Sequence, residues 1–434
     1  MIIVILAILL IASFIYDQKK FIYHVVIFYL LYDMFDGFYD QYKVFAIVRY
    51  VLPFTLVLIY MFRNKVIKNT DLMFLIFTGF LLSLLIFNHG EIIQSAKITF
   101  SIIVTVSMLL VGRHVGQTTN FIEEFEPYNR FMLALIPVYV IYANIFNVGY
   151  SYSASFTDGF LTHSRMYIAP ILIFMGIQYI LEERERSTFI KIVDAIIIGV
   201  NIAILIVITR RTSIGMIVVA ILIYCAFNTK VIFKMAMILF FMATILVLAY
   251  PLYEKPLREQ MAERERIQNL ETYENEGRVR ETIFLWDHHN REQSAMELFF
   301  GVQLFDTESF GVRYFGIPRP IHSDINMIIY STGLVGFLIF FAFFSYYLLL
   351  GNNSISKPNR KIFYPLLAMF LVVLLPGRFI GTFTFGPLLM LLLTATKHGR
   401  KYKLKKRVKL KKTRYRQLVP PVPHEKTVAK SLSN

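Results

Sequence analysis

Residues 321–350 read IHSDINMIIYSTGLVGFLIFFAFFSYYLLL, and from Ile325 to Leu350 none of them is charged. A helix needs roughly 20 apolar residues to cross a bilayer. Backbone groups in lipid must find their partners within the segment, so a single run of this kind spans as a helix and not as a strand. Residues 326–349 therefore read as a membrane span whose mouth carries His322, Ser323 and Asp324. Working outward, similar apolar runs occupy 2–16, 21–35, 44–62, 71–87, 97–112, 131–148, 166–182, 190–208, 213–227, 231–253, 362–376 and 380–396. Several are short, and one re-entrant segment is allowed for. The expectation is an all-α, polytopic transmembrane helical bundle of about 12–13 spans.

Composition agrees: 56% of the 434 residues are apolar and 17% charged, against roughly 45–50% and about 25% in soluble domains. The formal charge of +16 would suggest nucleic acid on a soluble chain. Most of it sits in the tail, where residues 397–434 hold 14 Lys or Arg and one acid, Glu425. No nucleic-acid partner is expected. The tail reads as a cytoplasmic grip on anionic lipid. The first run starts at Ile2 with no basic segment before it, so it reads as a retained helix and not as a signal peptide. Cys225 is the only cysteine, which excludes an internal disulfide framework.

Basic residues in short loops mark the cytoplasmic side. Counting back from the tail, Lys357, Arg360 and Lys361 fall inside, as do Arg63, Lys65 and Lys68, and Lys19 and Lys20. An odd span number leaves the N-terminus outside. The chain then divides into transmembrane helices over 1–253, one large extracytoplasmic loop over 254–325, C-terminal transmembrane helices over 326–396 and the basic cytoplasmic tail over 397–434. Glu254 to Glu297 mixes eleven acids with seven bases around spaced apolar residues, so helices are expected there. Gly301 to Pro320 carries three glycines and two prolines and reads as loop and turn.

The sequence has no P-loop, no GxGxxG turn, no HExxH helix and no GxSxG elbow. It also lacks an Asp-x-Asp pair for a sugar nucleotide's metal ion. ATP-driven work, metal-dependent use of nucleotide sugars and a resident cofactor or metal are not expected. The polar residues that solvation explains least fall on the outer side. Thr209-Arg210-Arg211-Thr212-Ser213 is either a loop with snorkelling arginines or a fork for phosphate oxygens. Phe156 to Arg165, with His163 and Arg165, is either a polar cap or part of a site. Arg278 and Arg280 precede Trp286, the single tryptophan, which reads as an interfacial anchor or a sugar contact. His322 is either a helix cap or a base facing a hydroxyl. Arg49 and Lys97 are charges in the outer halves of spans, where charge is costly.

Arg-Arg-Thr-Ser-x-Gly opening one helix, a long outer loop with Gly277-Arg278 and then a tryptophan, and His322-Ser323 at the start of a glycine-containing helix together resemble the O-antigen ligase and polymerase superfamily. Phe156 to Ser164 is similar to that family's Gly-x-Phe segment. The likeness covers residues 150–345 by motif. Two departures stand out: the family's histidine is often followed by Asn where Ser323 stands here, and its Ser-Arg-Gly pattern becomes Thr209-Arg210-Arg211, so both arginines are carried.

The resemblance implies a glycosyltransferase of the bacterial cytoplasmic membrane acting on polyprenyl-diphosphate-linked oligosaccharide at the outer face, with a flippase and a chain-length regulator as partners. It implies His322 with Arg211 and Arg210 as catalytic residues, and Arg278, Arg280, His163, Arg165, Trp286 and Arg49 as substrate-binding ones. Polymerisation of repeat units is preferred; ligation to a final acceptor is the alternative. A lipid-linked glycan flippase or transporter is the rival class, although such carriers usually show internal repeats and none is visible.

Overall fold

The computed structural model describes residues 2–39, 43–87, 90–149, 156–182, 187–248, 250–268, 277–291, 294–375, 379–380 and 382–399. The tail expected to grip anionic lipid lies outside them, apart from Lys397 to Gly399. The described residues fold into α-helices with no strand: α1 (Ile2–Tyr16), α2 (Gln18–Phe35), α3 (Lys43–Arg63), α4 (Leu72–Ile86), α5 (Ile92–Thr118), α6 (Phe121–Ile145), α7 (Ile168–Leu181), α8 (Thr188–Val207), α9 (Arg211–Phe227) and α10 (Ile232–Leu248). Then come α11 (Tyr250–Gln268), α12 (Gly277–Arg291), α13 (Ala295–Phe300), α14 (Glu308–Phe315), α15 (Asp324–Phe344), α16 (Lys357–Leu374) and α17 (Gly386–Lys397).

Five helical stretches among the described residues are long and apolar enough to cross a membrane: Gln18–Phe38, Ile92–Thr118, Ser164–Leu181, Thr188–Val207 and Asp324–Ser354. A sixth would join Arg211–Phe227 to Thr229–Phe241 across a 114° bend. A helix occupies part of each of the thirteen expected runs, but many of these helices are shorter than a full span. The run expected over 380–396 is the clearest case. Its helix starts only at Gly386, because Phe379, Ile380, Thr382 and Thr384 are drawn into side-chain hydrogen bonds described below. In the stretch expected to be turn, α14 forms: its Gly311 lies where a Cβ would come within 2.4 Å of the Arg319 carbonyl as the chain returns, and Gly316 ends it in the left-handed conformation.

At the centre, all twelve residues of α17 are buried. Two small residues one turn apart on α5 let it in. A Cβ on Gly112 would lie 2.4 Å from the Leu391 carbonyl, and one on Gly116 2.4 Å from that of Ala395, the close approach that small-xxx-small spacing permits between apolar helices.

Hydrogen bonds sort the helix ends into two sets. At the end where α17 finishes, here called the lower end, Arg113 holds Asp71 through two 2.6 Å bonds. Tyr347 donates to the same carboxylate at 3.1 Å, Lys361 reaches Asn228 at 2.9 Å, and Lys397 donates to the carbonyls of Tyr347 and Leu350. Lys68, Lys357 and Arg360 lie in these same connections. At the upper end the mouth of α15, the start of α3, the end of α2 and the loop over 156–165 meet.

Candidate functional site

The mouth of α15 is built around a buried carboxylate. Ser323 caps the helix, and the chain before it is pinned by the Ile321 amide donating to Thr307 Oγ1 at 3.0 Å. Glu281, on the inward face of α12, is 1% exposed at its side chain. Its Oε2 accepts the His322 backbone N–H at 2.9 Å, and its Oε1 lies 2.9 Å from His322 Nδ1 and 2.5 Å from Arg319 Nη2. Arg319 also sits 3.2 Å from His322 Nδ1. A guanidinium has no acceptor, and a protonated Nδ1 cannot accept. The shorter contact therefore decides the tautomer: Nδ1–H donates to Glu281, and Arg319 is close because it shares the same oxygen. Nε2 then stands on the far edge of the ring, away from Glu281, and the side chain keeps 27% of its surface.

Burial works to raise the pKa of the Glu281 carboxyl, but the hydrogen bonds from His322 and Arg319 outweigh it and hold the group below the ordinary glutamate range. The dyad is therefore ionised at Glu281 near neutral pH. Arg319 is itself fixed by stacking on Phe315 at 4.2 Å, and Arg280 lies over the same ring at 5.6 Å and over Phe284 at 5.3 Å. Asn326 ties α15 to α12 through Thr282 at 2.9 Å.

Asp324 faces the other way and extends the site. Fully buried, it accepts the amides of Phe379 (2.7 Å) and Ile380 (3.0 Å). From that segment Thr382 donates to Ser164 at 2.9 Å, and Thr384 donates to Asp33. Asp33 belongs to a four-membered cluster: Arg49 pairs with both Asp33 and Asp36, and Arg165 reaches Asp36 at 2.6 Å. The aromatic rings of Tyr32, Tyr50 and Phe383 surround the Arg49 guanidinium at 5.5, 5.5 and 5.9 Å. Nearby in sequence, Asp158 pairs with Arg210 at 2.8 Å.

The expected residues thus fall into three linked groups. His322 and Arg280 are linked through Arg319, which sits beside His322 and shares the Phe315 ring with Arg280; Arg49 and Arg165 share one cluster; Arg210, before α9, stands with Asp158 of the loop that also carries Arg165. Arg211 opens α9 with an exposed side chain. Trp286 is exposed on α12, one position round the helix from buried Leu285, and no described contact joins it to His322. The side chains of His163 and Arg278 lie outside the described residues. Arg49, Arg165 and Arg210 each hold a carboxylate, so a phosphate arriving at any of them meets a guanidinium already paired with an acid.

Sequence reasoning overlooked Glu281, Arg319, Asp33 and Asp36. Glu281 directly follows Arg280, and Asp33 and Asp36 lie one turn apart in an apolar helix, a placement that itself asks for a cationic partner. Among the described residues no three His, Cys, Asp or Glu side chains group so that they could hold a metal ion. Compared with known protein families, with characterised proteins and with solved structures, the chain matches none.

Proposed function

We propose that this protein is a membrane glycosyltransferase that extends a polyprenyl-diphosphate-linked glycan on the outer face of the membrane, with His322 as its base. One observation carries the reading: a histidine at a helix mouth whose Nδ1–H is held by a buried carboxylate, the arrangement that fixes a tautomer and presents Nε2 as a proton acceptor. In the reaction the acceptor hydroxyl oxygen attacks the anomeric carbon and its proton passes to Nε2. The bond from that carbon to the diphosphate oxygen breaks, and the electron pair leaves with the diphosphate. Glu281 stabilises the imidazolium while it lasts. Arg211, Arg278 and Arg280 meet the diphosphate charge, whereas Arg210, Arg165 and Arg49 hold the surrounding loops through their carboxylate partners.

In this reading α1–α10 and α15–α17 make thirteen crossings, the upper end faces outward and the basic loops of the lower end face the cytoplasm. Cleavage of the bond between the anomeric carbon and the diphosphate supplies the driving force without a nucleotide. The test is deletion of the gene followed by sizing of the glycans left on the carrier lipid. Single repeat units are the expected result. Long polymers of normal length stranded on the carrier would assign ligation instead, and an unchanged profile would reject glycan transfer.

A further inference from the structure

α15 is not one continuous helix. At Gly333 its backbone takes φ 63° and ψ −169°, a conformation essentially confined to glycine. The break is filled by chain from the loop read as extracytoplasmic. A Cβ on Gly333 would lie 2.3 Å from the Phe299 carbonyl carbon, and one on Gly301 (φ +91°) 2.4 Å from that of Ser331. The two backbones thus lie directly on one another, with the Val302 amide donating to the Tyr330 carbonyl at 2.8 Å. That bond satisfies a helical acceptor freed by the break, as a buried carbonyl requires.

The depth of this contact follows from helix geometry. Gly333 is nine residues below Asp324, about 13 Å at 1.5 Å per residue. The stretch from Asp324 to Leu349 is about 39 Å long by the same rise, so it overhangs a roughly 30 Å hydrocarbon layer by about 4–5 Å at each end. Gly333, and the Phe299–Gly301 chain against it, then fall about 9 Å below the outer hydrocarbon boundary. The side chains fit that depth. On α13, Met296, Phe299 and Phe300 are 69%, 48% and 41% exposed, and the exposure continues down α15 through Leu334, Leu338 and Phe341. The one charged residue of α13, Glu297, is turned back onto Ser294 in a capping box.

We infer that α13 is a membrane-immersed wedge: the short helix and the chain after it dip into the outer leaflet beside the break in α15, with Met296, Phe299 and Phe300 against lipid acyl chains. Phe305 and Leu304 then bring the chain back to the first turn of α5, where Ser95 donates to the Leu304 carbonyl at 2.5 Å. The seating rests on the membrane orientation of α15 and not on the chemistry at His322.

The sole tryptophan makes the test direct. In a Trp286→Phe background, Phe299→Trp is reconstituted into vesicles of ordinary lipid and of lipid brominated along its acyl chains, with Leu338→Trp as the reference position and Met296→Trp as the second probe should Phe299→Trp not fold. Fluorescence at the wedge position is expected to fall at least twofold in brominated lipid, as at Leu338, with little quenching by aqueous acrylamide. Strong acrylamide quenching with no effect of bromine would place α13 in water, and resistance to both quenchers would place it under protein; either result overturns the inference.

Discussion

Replacing Glu281 by glutamine keeps the shape of the side chain and removes its charge. Three donors converge on the carboxylate: the His322 backbone N–H and Nδ1–H, each at 2.9 Å, and Arg319 Nη2 at 2.5 Å. A glutamine offers one acceptor oxygen and turns an NH₂ toward the remaining donors, so at least one buried donor loses its partner, at a cost of about 1–3 kcal/mol in stability. The effect on rate is larger. Without the carboxylate the imidazolium is unsupported and the Nδ1–H tautomer is no longer enforced. General-base catalysis contributes about 10²–10⁴-fold, or about 3–5 kcal/mol at 1.36 kcal/mol per decade. Glu281→Gln should thus lower kcat for glycan transfer at least 100-fold with KM little changed, and Glu281→Asp should recover part of the loss. The assay is chain extension by purified protein in vesicles containing lipid-linked repeat units. A Glu281→Gln protein that folds, retains its Tm within a few degrees and extends chains at the original rate would refute the role of the dyad.

The same carboxylate makes stability depend on acid. Its pKa is lower when folded than when unfolded, so its contribution is complete above the unfolded value and is lost as pH falls through the folded one; the Tm difference between wild type and Glu281→Gln should shrink on acidification below the ordinary glutamate range, and a constant difference would contradict this. At the lower end, Arg113→Met leaves Asp71 buried without its two 2.6 Å bonds and should cost about 3–5 kcal/mol, whereas Arg113→Met with Asp71→Asn should be milder; denaturation of both variants checks the order. Gly333→Ala should destabilise by at least about 1–3 kcal/mol from backbone strain alone, read as a lower Tm. In a Cys225→Ser background, Ser294→Cys should react with an impermeant thiol reagent in intact cells and Asn353→Cys should not; the reverse pattern would invert the orientation.

Much of the helical framework was legible because apolar periodicity in a bilayer permits little else. The run after Asp324 and the mouth residue His322 were readable together, since a polar triplet ahead of an uncharged stretch marks a helix entrance. The break at Gly333 was not readable: its cause is the chain at Phe299, more than thirty positions earlier, and a glycine in an apolar helix has many uses. α17 was mistaken in length for a similar reason, because Phe379 to Thr384 is apolar enough to continue the helix but is held open by Asp324, Ser164 and Asp33. At the site, Arg210 read as half of a fork for phosphate oxygens, because its carboxylate partner Asp158 lies 52 positions earlier and nothing in the local sequence announces the pair. Glu281 was lost among eleven acids of a charged loop; only the fold shows that its side chain is buried.

The most direct measurement complements the deletion strain with wild type or with His322→Ala at equal protein level and sizes the glycans attached to the carrier lipid. Wild type should restore long chains, while His322→Ala should leave single repeat units to accumulate as in the deletion. Long chains of normal length in the His322→Ala strain would contradict a base at the mouth of α15.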